Sequence, residues 1–222
     1  MKYDLYSRGD LSLPPGAARC PGPSAQEILD RDGDQPPAAL RASRYEFLGD
    51  EDLPFSRYTS QAFYDKEIER LWPRVWQWAC REEHVPNIGD YWVHDVGPYS
   101  ALIIRGADHQ IRAFVNACPH RGMQFADAGS QGSGKQFVRC PFHGMSWNLD
   151  GTLRDIPCRW DFPHIEDDKF GLDALPCDTW GGFVFISFDS DAGPLRDYLE
   201  VLPEHFADTP LENRYVSLHM EK

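Results

Sequence analysis

The sequence predicts a mainly β protein: an antiparallel sandwich or barrel with two ligand-bearing loops, flanked by short helices and preceded by an extended N-terminal arm. Three observations lead there. Short apolar or alternating runs separated by turn residues recur from about residue 90 to residue 190. Asp150-Gly151, between two such runs, is a strong hairpin signal. Two Cys/His pairs each directly follow a predicted strand.

Residues 1–55 are rich in Pro, Gly and Asp, as in Leu13-Pro14-Pro15-Gly16 and Asp32-Gly33-Asp34-Gln35-Pro36-Pro37. Proline fixes φ and removes a donor, so long regular elements are not expected. One short helix over Ser24–Arg31 fits. The composition suits an arm lying over a neighbour or over the main domain, and equally a disordered tail.

A convincing helix begins at Thr59 or Ser60, either of which can cap it, with Tyr64, Ile68 and Leu71 on one face. Pro73 ends or kinks it. Val75-Trp76-Gln77-Trp78-Ala79-Cys80 is aromatic enough to be expected in the core. Strands follow over Tyr91–Val96, Ala101–Arg105 and Ile111–Asn116, the last two joined by a turn at Gly106-Ala107-Asp108. Gln136–Arg139, Met145–Leu149, Thr152–Ile156 and Gly182–Phe188 complete the set. After Gly193, with Pro194 at the first helical position, residues Leu195, Tyr198, Leu199 and Leu202 mark a short amphipathic helix. The predicted organisation is an arm (1–55), a β domain with its leading helix (56–190), and residues 191–222 as the opening of a further domain.

Composition narrows the function. Over 222 residues the net charge is -13, which repels phosphate backbones and anionic lipid, so a basic-patch nucleic-acid binder is excluded. Apolar runs such as Ala101–Ile104 and Phe183–Phe188 fall far short of the roughly 20 residues that cross a bilayer. No apolar export segment follows Met1-Lys2, and 6 cysteines are too sparse for a disulfide scaffold. The expectation is a cytoplasmic protein with thiols or metal ligands.

The informative residues are Cys118-Pro119-His120-Arg121-Gly122 and Cys140-Pro141-Phe142-His143-Gly144. Structural zinc usually takes its thiolates from one Cys-x₂₋₄-Cys pair and its imidazoles from one His-x₃₋₅-His pair. Here each loop supplies one Cys and one His. That mixture suits a two-iron cluster, both thiolates on one iron and both imidazoles on the other. A structural zinc clip remains the other reading of the same residues.

These two motifs, with Trp147-Asn148-Leu149-Asp150-Gly151, the lead-in Arg57-Tyr58 through Cys80, and Trp180-Gly181-Gly182-Phe183-Val184, resemble the Rieske [2Fe–2S] proteins. More closely they resemble the large subunits of Rieske non-haem iron aromatic-ring-hydroxylating oxygenases, over about residues 56–190. The resemblance implies a Rieske-type fold and a [2Fe–2S] cluster on Cys118, His120, Cys140 and His143. Arg121, Gly122, Gly144, Met145 and Trp147 stand around it. It also implies a reductase or ferredoxin as electron donor, and a mononuclear Fe(II) as acceptor. The assembly implied is a homotrimer of large subunits, with or without a small subunit. The respiratory branch has an extra cysteine in each loop, at positions held here by Met123 and Phe142, so quinol oxidation is disfavoured. The hydroxyls that raise the potential in that branch correspond to Met145 and Trp147, neither of which has one. The expected potential is about −150 mV rather than about +300 mV. Met145 also departs from the oxygenase pattern, which usually has Trp there.

The mononuclear site of that family comes from a later Asp/Glu-x-x-His-x₄-His helix. Asp161-x-x-His164 is the nearest imitation, but residue 169 is Lys. The expectation is therefore the electron-relay part of a longer oxygenase chain, the alternative a freestanding Rieske ferredoxin-like carrier. Arg121 reads as a loop brace, as the partner of a neighbouring carboxylate or as a surface cation, and Gly122 and Gly144 as turns of unusual φ. Cys20 is expected to be an exposed thiol; Cys80, Cys158 and Cys177 are expected in or near the core, with a Cys158–Cys177 disulfide not supported. Trp160, Phe162 and Trp180 are expected to pack the β domain.

Overall fold

The computed structural model describes residues 25–32 and 51–215, with isolated positions Ser12, Pro23, Pro36 and Gly49. The arm reading, Cys20 included, otherwise lies outside the described residues. One compact unit comprises residues 61–198 and 209–215; the other comprises the described residues up to Ser60 together with Leu199–Asp208.

The expected first helix is present as α1 (Ala25–Arg31). A single helical turn, α2 (Ser56–Thr59), precedes α3 (Gln61–Arg70), and Pro73 sits in the tight turn Trp72–Arg74 that follows. The apolar face of α3 is not a core face: no residue of the helix is buried, and Tyr64 remains 45% exposed. Instead Ile68 and Tyr64 close over Gly97, where an added Cβ would stand 2.4 Å from Ile68 Cδ1. A side chain there would collide, so the small residue lets the helix seat on a hairpin.

Three antiparallel sheets form the β structure. β1 (Gln77–Arg81), β11 (Phe183–Ile186) and β10 (Cys177–Trp180) lie in the order β1-β11-β10. The second sheet is β5-β2-β3-β4-β9, from β2 (Tyr91–Val96), β3 (Tyr99–Arg105), β4 (Ile111–Val115), β5 (Gln131–Gly132) and β9 (Ala174–Leu175). The third is β6 (Val138–Arg139), β7 (Ser146–Trp147) and β8 (Leu153–Asp155). The Asp150-Gly151 hairpin forms between β7 and β8, with Asn148 N–H donating to Thr152 O at 2.8 Å and Gly151 N–H to Asn148 O at 3.0 Å. Gly151 has φ +89, and a Cβ on it would lie 2.5 Å from the Phe114 ring. Both the turn and the core therefore demand glycine. Helix α4 (Leu195–Leu199) forms after Gly193-Pro194, one residue later than expected: Pro194 supplies the first carbonyl rather than the first helical residue.

Strand β3 is the shared wall of two cores. Its continuous apolar run is buried on both faces, as expected of a run that does not alternate. Leu102 and Ile104 join Val93, Phe114, Cys118, Val138, Cys140, Met145, Trp147 and Ile156 on one side. Ala101 and Ile103 join Cys80, Ala113, Val184 and Ile186 on the other. Two expectations fail here. Trp160 is 77% exposed and Cys158 is exposed. Both sit in the turn that follows the third sheet, where Cys158 takes φ 54 and turns the chain outward. Trp78 is also exposed: a register shift between Trp78 and Cys80 breaks the alternation that would put both on one face, and Trp78 sits edge-on to Phe183.

Cys80 and Cys177 differ sharply from Cys158. Burial pushes both thiols up to about 12, with each other's proximity and Glu82 adding to the effect at Cys80 and Asp178 at Cys177. A pKa raised in the folded state holds the proton more tightly there. The resulting stability is complete below the unfolded thiol value of about 9 and is lost as pH rises from there towards 12. In a cluster-loaded Cys20→Ser protein at pH 8, a disulfide reagent is expected to label Cys158 quickly. Cys80, which is buried, should react only with unfolding, and Cys177, half-buried with its thiol held protonated, far more slowly than Cys158. Fast labelling of Cys80 would contradict its burial, and labelling of Cys177 as fast as Cys158 would contradict its raised pKa.

Candidate functional site

The two Cys/His segments fold into the same six-residue hairpin. In the first, Cys118 N–H donates to Met123 O at 2.8 Å and Gly122 N–H to Cys118 O at 2.8 Å. In the second, Cys140 N–H donates to Met145 O at 2.8 Å and Gly144 N–H to Cys140 O at 3.1 Å. Gly122 and Gly144 take φ +71 and +79, the left-handed turn that both loops require. His120 is two residues after its cysteine and His143 three, so the twin loops present their imidazoles from different backbone positions.

Strands fix where these loops stand. The first follows β4 and the second follows β6. Asn116, only 1% exposed, closes the base of the first: its amide donates to Ser100 Oγ (3.0 Å) and Ala126 O (2.8 Å), and its oxygen accepts from Phe125 N–H (3.1 Å) and Ala126 N–H (3.3 Å). All its hydrogen-bonding capacity is met, as a buried amide requires.

The four donors come together as two like pairs. Cys118 and Cys140 are both buried, and the Cys140 thiol is near enough to act on Cys118. Burial first, and then this neighbour, hold the Cys118 thiol above its ordinary range. His120 and His143 have ring centroids 5.0 Å apart, His120 half-buried and His143 exposed. Partial burial lowers the His120 pKa, with the nearby His143 and Arg121 charges acting in the same direction. Among the described residues no three His, Cys, Asp or Glu side chains gather around one point as for a single ion. Thiols paired inside and imidazoles paired outside fit a two-metal cluster with one iron of each kind.

The surrounding residues take different roles. Trp147 is fully buried and spends its indole N–H on Phe170 O at 2.8 Å; Met145 is also in the core. Arg121 is exposed, and among the described residues no hydrogen bond or ion pair makes it a brace. Met123 and Phe142 are exposed at the loop tips. Phe162 packs on the core and sets its ring edge-to-face to His120, centroids 5.8 Å apart. An open recess of about 530 Å³ is lined by Pro119, His120, Phe162, Ile165, Lys169 and Phe170. Another, of about 560 Å³, is lined by Arg139 and the second loop. Asn116 and Arg159 were not singled out from the sequence. An Asn two residues before the first Cys, at a strand end, was the available signal for Asn116. Nothing local marked Arg159.

Comparison with known proteins agrees with this geometry. Residues 75–166 match the Rieske [2Fe-2S] domain family. The biphenyl 2,3-dioxygenase alpha subunit of Rhodococcus jostii (strain RHA1) is 32% identical over 64% of this chain and 31% of its own length. The large oxygenase component of salicylate 5-hydroxylase from a Ralstonia species is 30% identical over 77% of this chain and 43% of its own. Among solved structures, the apo form of a quaternary ammonium Rieske monooxygenase superposes with TM-score 0.66 at 27% identity, over 72% of this chain and 47% of that one. The chain spans about a third to two fifths of the length of the curated relatives it matches. No described helix is long and apolar enough to cross a membrane. Over residues 75–166 this chain is a Rieske [2Fe–2S] domain, of the kind carried by the large subunits of Rieske oxygenases.

Proposed function

We propose that Cys118 and Cys140 bind one iron of the [2Fe–2S] cluster and His120 and His143 the other. Residues 56–190 then serve as the electron-relay domain of an oxygenase large subunit. The observation that carries this reading is the pairing of like donors on twin loops, two buried thiols and two surface imidazoles. When bound, the cluster supplies one-electron transfer. The chain's own residues supply the rest: the cysteine pair is sealed in the core, and the exposed His143 offers the short way in from solvent. Beside it, Arg139 and Arg154 line adjoining recesses with Asp155 as the one carboxylate among them, a net positive lining on a chain whose net charge is -13. That local positive charge suits an acidic reductase or ferredoxin as donor.

The acceptor in this reading is a mononuclear non-haem iron outside residues 56–190, which activates O₂ to hydroxylate an aromatic or related hydrophobic substrate. The assembly is a homotrimer, with or without a small subunit. Its site lies in the cytoplasm, where thiols stay reduced.

The test is iron, zinc and acid-labile sulfide content of anaerobically purified protein, with EPR and a redox titration of the same sample. Two irons and two sulfides per chain with a rhombic reduced signal are expected. The midpoint should fall at the low end of the Rieske range, about −150 mV, because Met145 has no donor and Trp147 has spent its own. One zinc without sulfide would make the loops a structural clip. A midpoint above zero would overturn the account of the surrounding donors alone.

A further inference from the structure

The turn after the third sheet is organised by one side chain. Arg159 is half-buried. Its guanidinium donates to the carbonyl of Phe162, to Ile165 O at 2.5 Å and to Asp167 Oδ1 at 2.8 Å. It therefore gathers residues 159–167 around itself. The turn's own tryptophan does not anchor it, since Trp160 stands 77% exposed. What the gathered turn places is Phe162, whose ring meets the His120 imidazole at 88° with centroids 5.8 Å apart. Arg159 acts at one remove: its bonds run to the turn, and the turn's aromatic touches the imidazole.

We propose that Arg159 is a positioning residue for the cluster. By fixing the Phe162 and Ile165 carbonyls it seats the Phe162 ring against His120, shields that face of the imidazole from water, and holds the reduction potential down. The proposal rests on His120 being a ligand. Its direction follows from charge. Reduction adds an electron, and the more negative state is favoured by water and disfavoured by an apolar wall. Removing the wall must raise the potential.

The experiment compares the midpoint potential and the histidine nitrogen hyperfine couplings of cluster-loaded wild type, Arg159→Gln, Arg159→Lys, Phe162→Ala and the Arg159→Gln/Phe162→Ala double variant. Arg159→Gln and Phe162→Ala are each expected to shift the potential upward and alter the His120 couplings. Arg159→Lys should recover part of the shift. The double variant should exceed neither single by much, because both remove the same wall. Arg112→Gln breaks an Arg–Asp pair in the β3–β4 turn and should leave potential and couplings unchanged. An Arg159→Gln protein that is less stable but keeps the wild-type potential and couplings would make Arg159 structural only and overturn the proposal. If that variant does not accumulate folded, Phe162→Ala decides: an unchanged potential overturns the proposal equally. Wild type lacking two irons and two sulfides would instead fail the ligand assignment, before any variant is compared.

Discussion

Cys140→Ser is expected to leave a folded protein with less than about a tenth of the wild-type iron and sulfide. The loop around Cys140 is closed by its own backbone, through Cys140 N–H to Met145 O and Gly144 N–H to Cys140 O, and serine can keep both bonds. What serine cannot supply is a thiolate, the soft donor an iron–sulfur cluster requires. Because cluster binding stabilises only the folded form, the variant should melt where cluster-free wild type melts rather than far below it. Cys80→Ser is the informative control. Cys80 is likewise buried, but in the other core. That variant should lose stability and keep its iron. Full iron in Cys140→Ser, or none in Cys80→Ser, would contradict the assignment. Metal analysis and thermal melts of the three proteins suffice.

The second large effect is expected at Asn116. Replacement by alanine strands Phe125 N–H, Ala126 N–H and the Ala126 carbonyl at the base of the first loop, where Phe125 is itself buried. Each buried polar group left without a partner costs about 1–3 kcal/mol, so a total loss of about 3–5 kcal/mol follows even with partial rescue by water. The loop should open at its base, so the variant should also release iron faster under a chelator. Urea unfolding and chelation kinetics measure the two effects separately. A loss below about 1 kcal/mol would show that the Asn116 bonds do not hold the loop.

Much of this site was legible from residue types and spacing. The four donors, the two glycines and the Asp150-Gly151 turn all carry local chemistry: a thiol, an imidazole, a left-handed φ. Those needs are written in the residues themselves. Strands β3 and β11 were legible because each holds four apolar residues in a row, Ala101–Ile104 and Phe183–Ile186, and β2 and β4 because β-branched and aromatic residues crowd short segments bounded by turns. The strands β5 and β9, two residues each, were not. They exist because a neighbouring strand offers unpaired backbone, which no local pattern records. Trp160 and Cys158 were misplaced for a related reason. Apolar composition argues for burial, but the turn they occupy is held by the guanidinium of Arg159, which needs carbonyls rather than a hydrophobic partner. The apolar stripe on α3 was read correctly as one face of a helix, while its seat on Gly97 rather than in a core was not legible, because the stripe does not say what it meets.

The sheet order has a consequence for how the chain assembles in time. Strands β2, β3 and β4 are consecutive, pair in sequence order and close over short turns, so they can meet early at little entropic cost. The β1–β11 pairing joins residues about a hundred positions apart, as the Arg81 bond to Gly181 O does with a separation of 100. It must wait for everything between them. Until it forms, Ala101, Ile103 and Ala113 on the finished sheet face water, and so do Val184 and Ile186 on β11, whose one edge is taken by the adjacent β10 and whose other edge is open. The slow step in folding is thus the docking of β1 onto β11, and the species that precedes it is the one most prone to stick to its own kind.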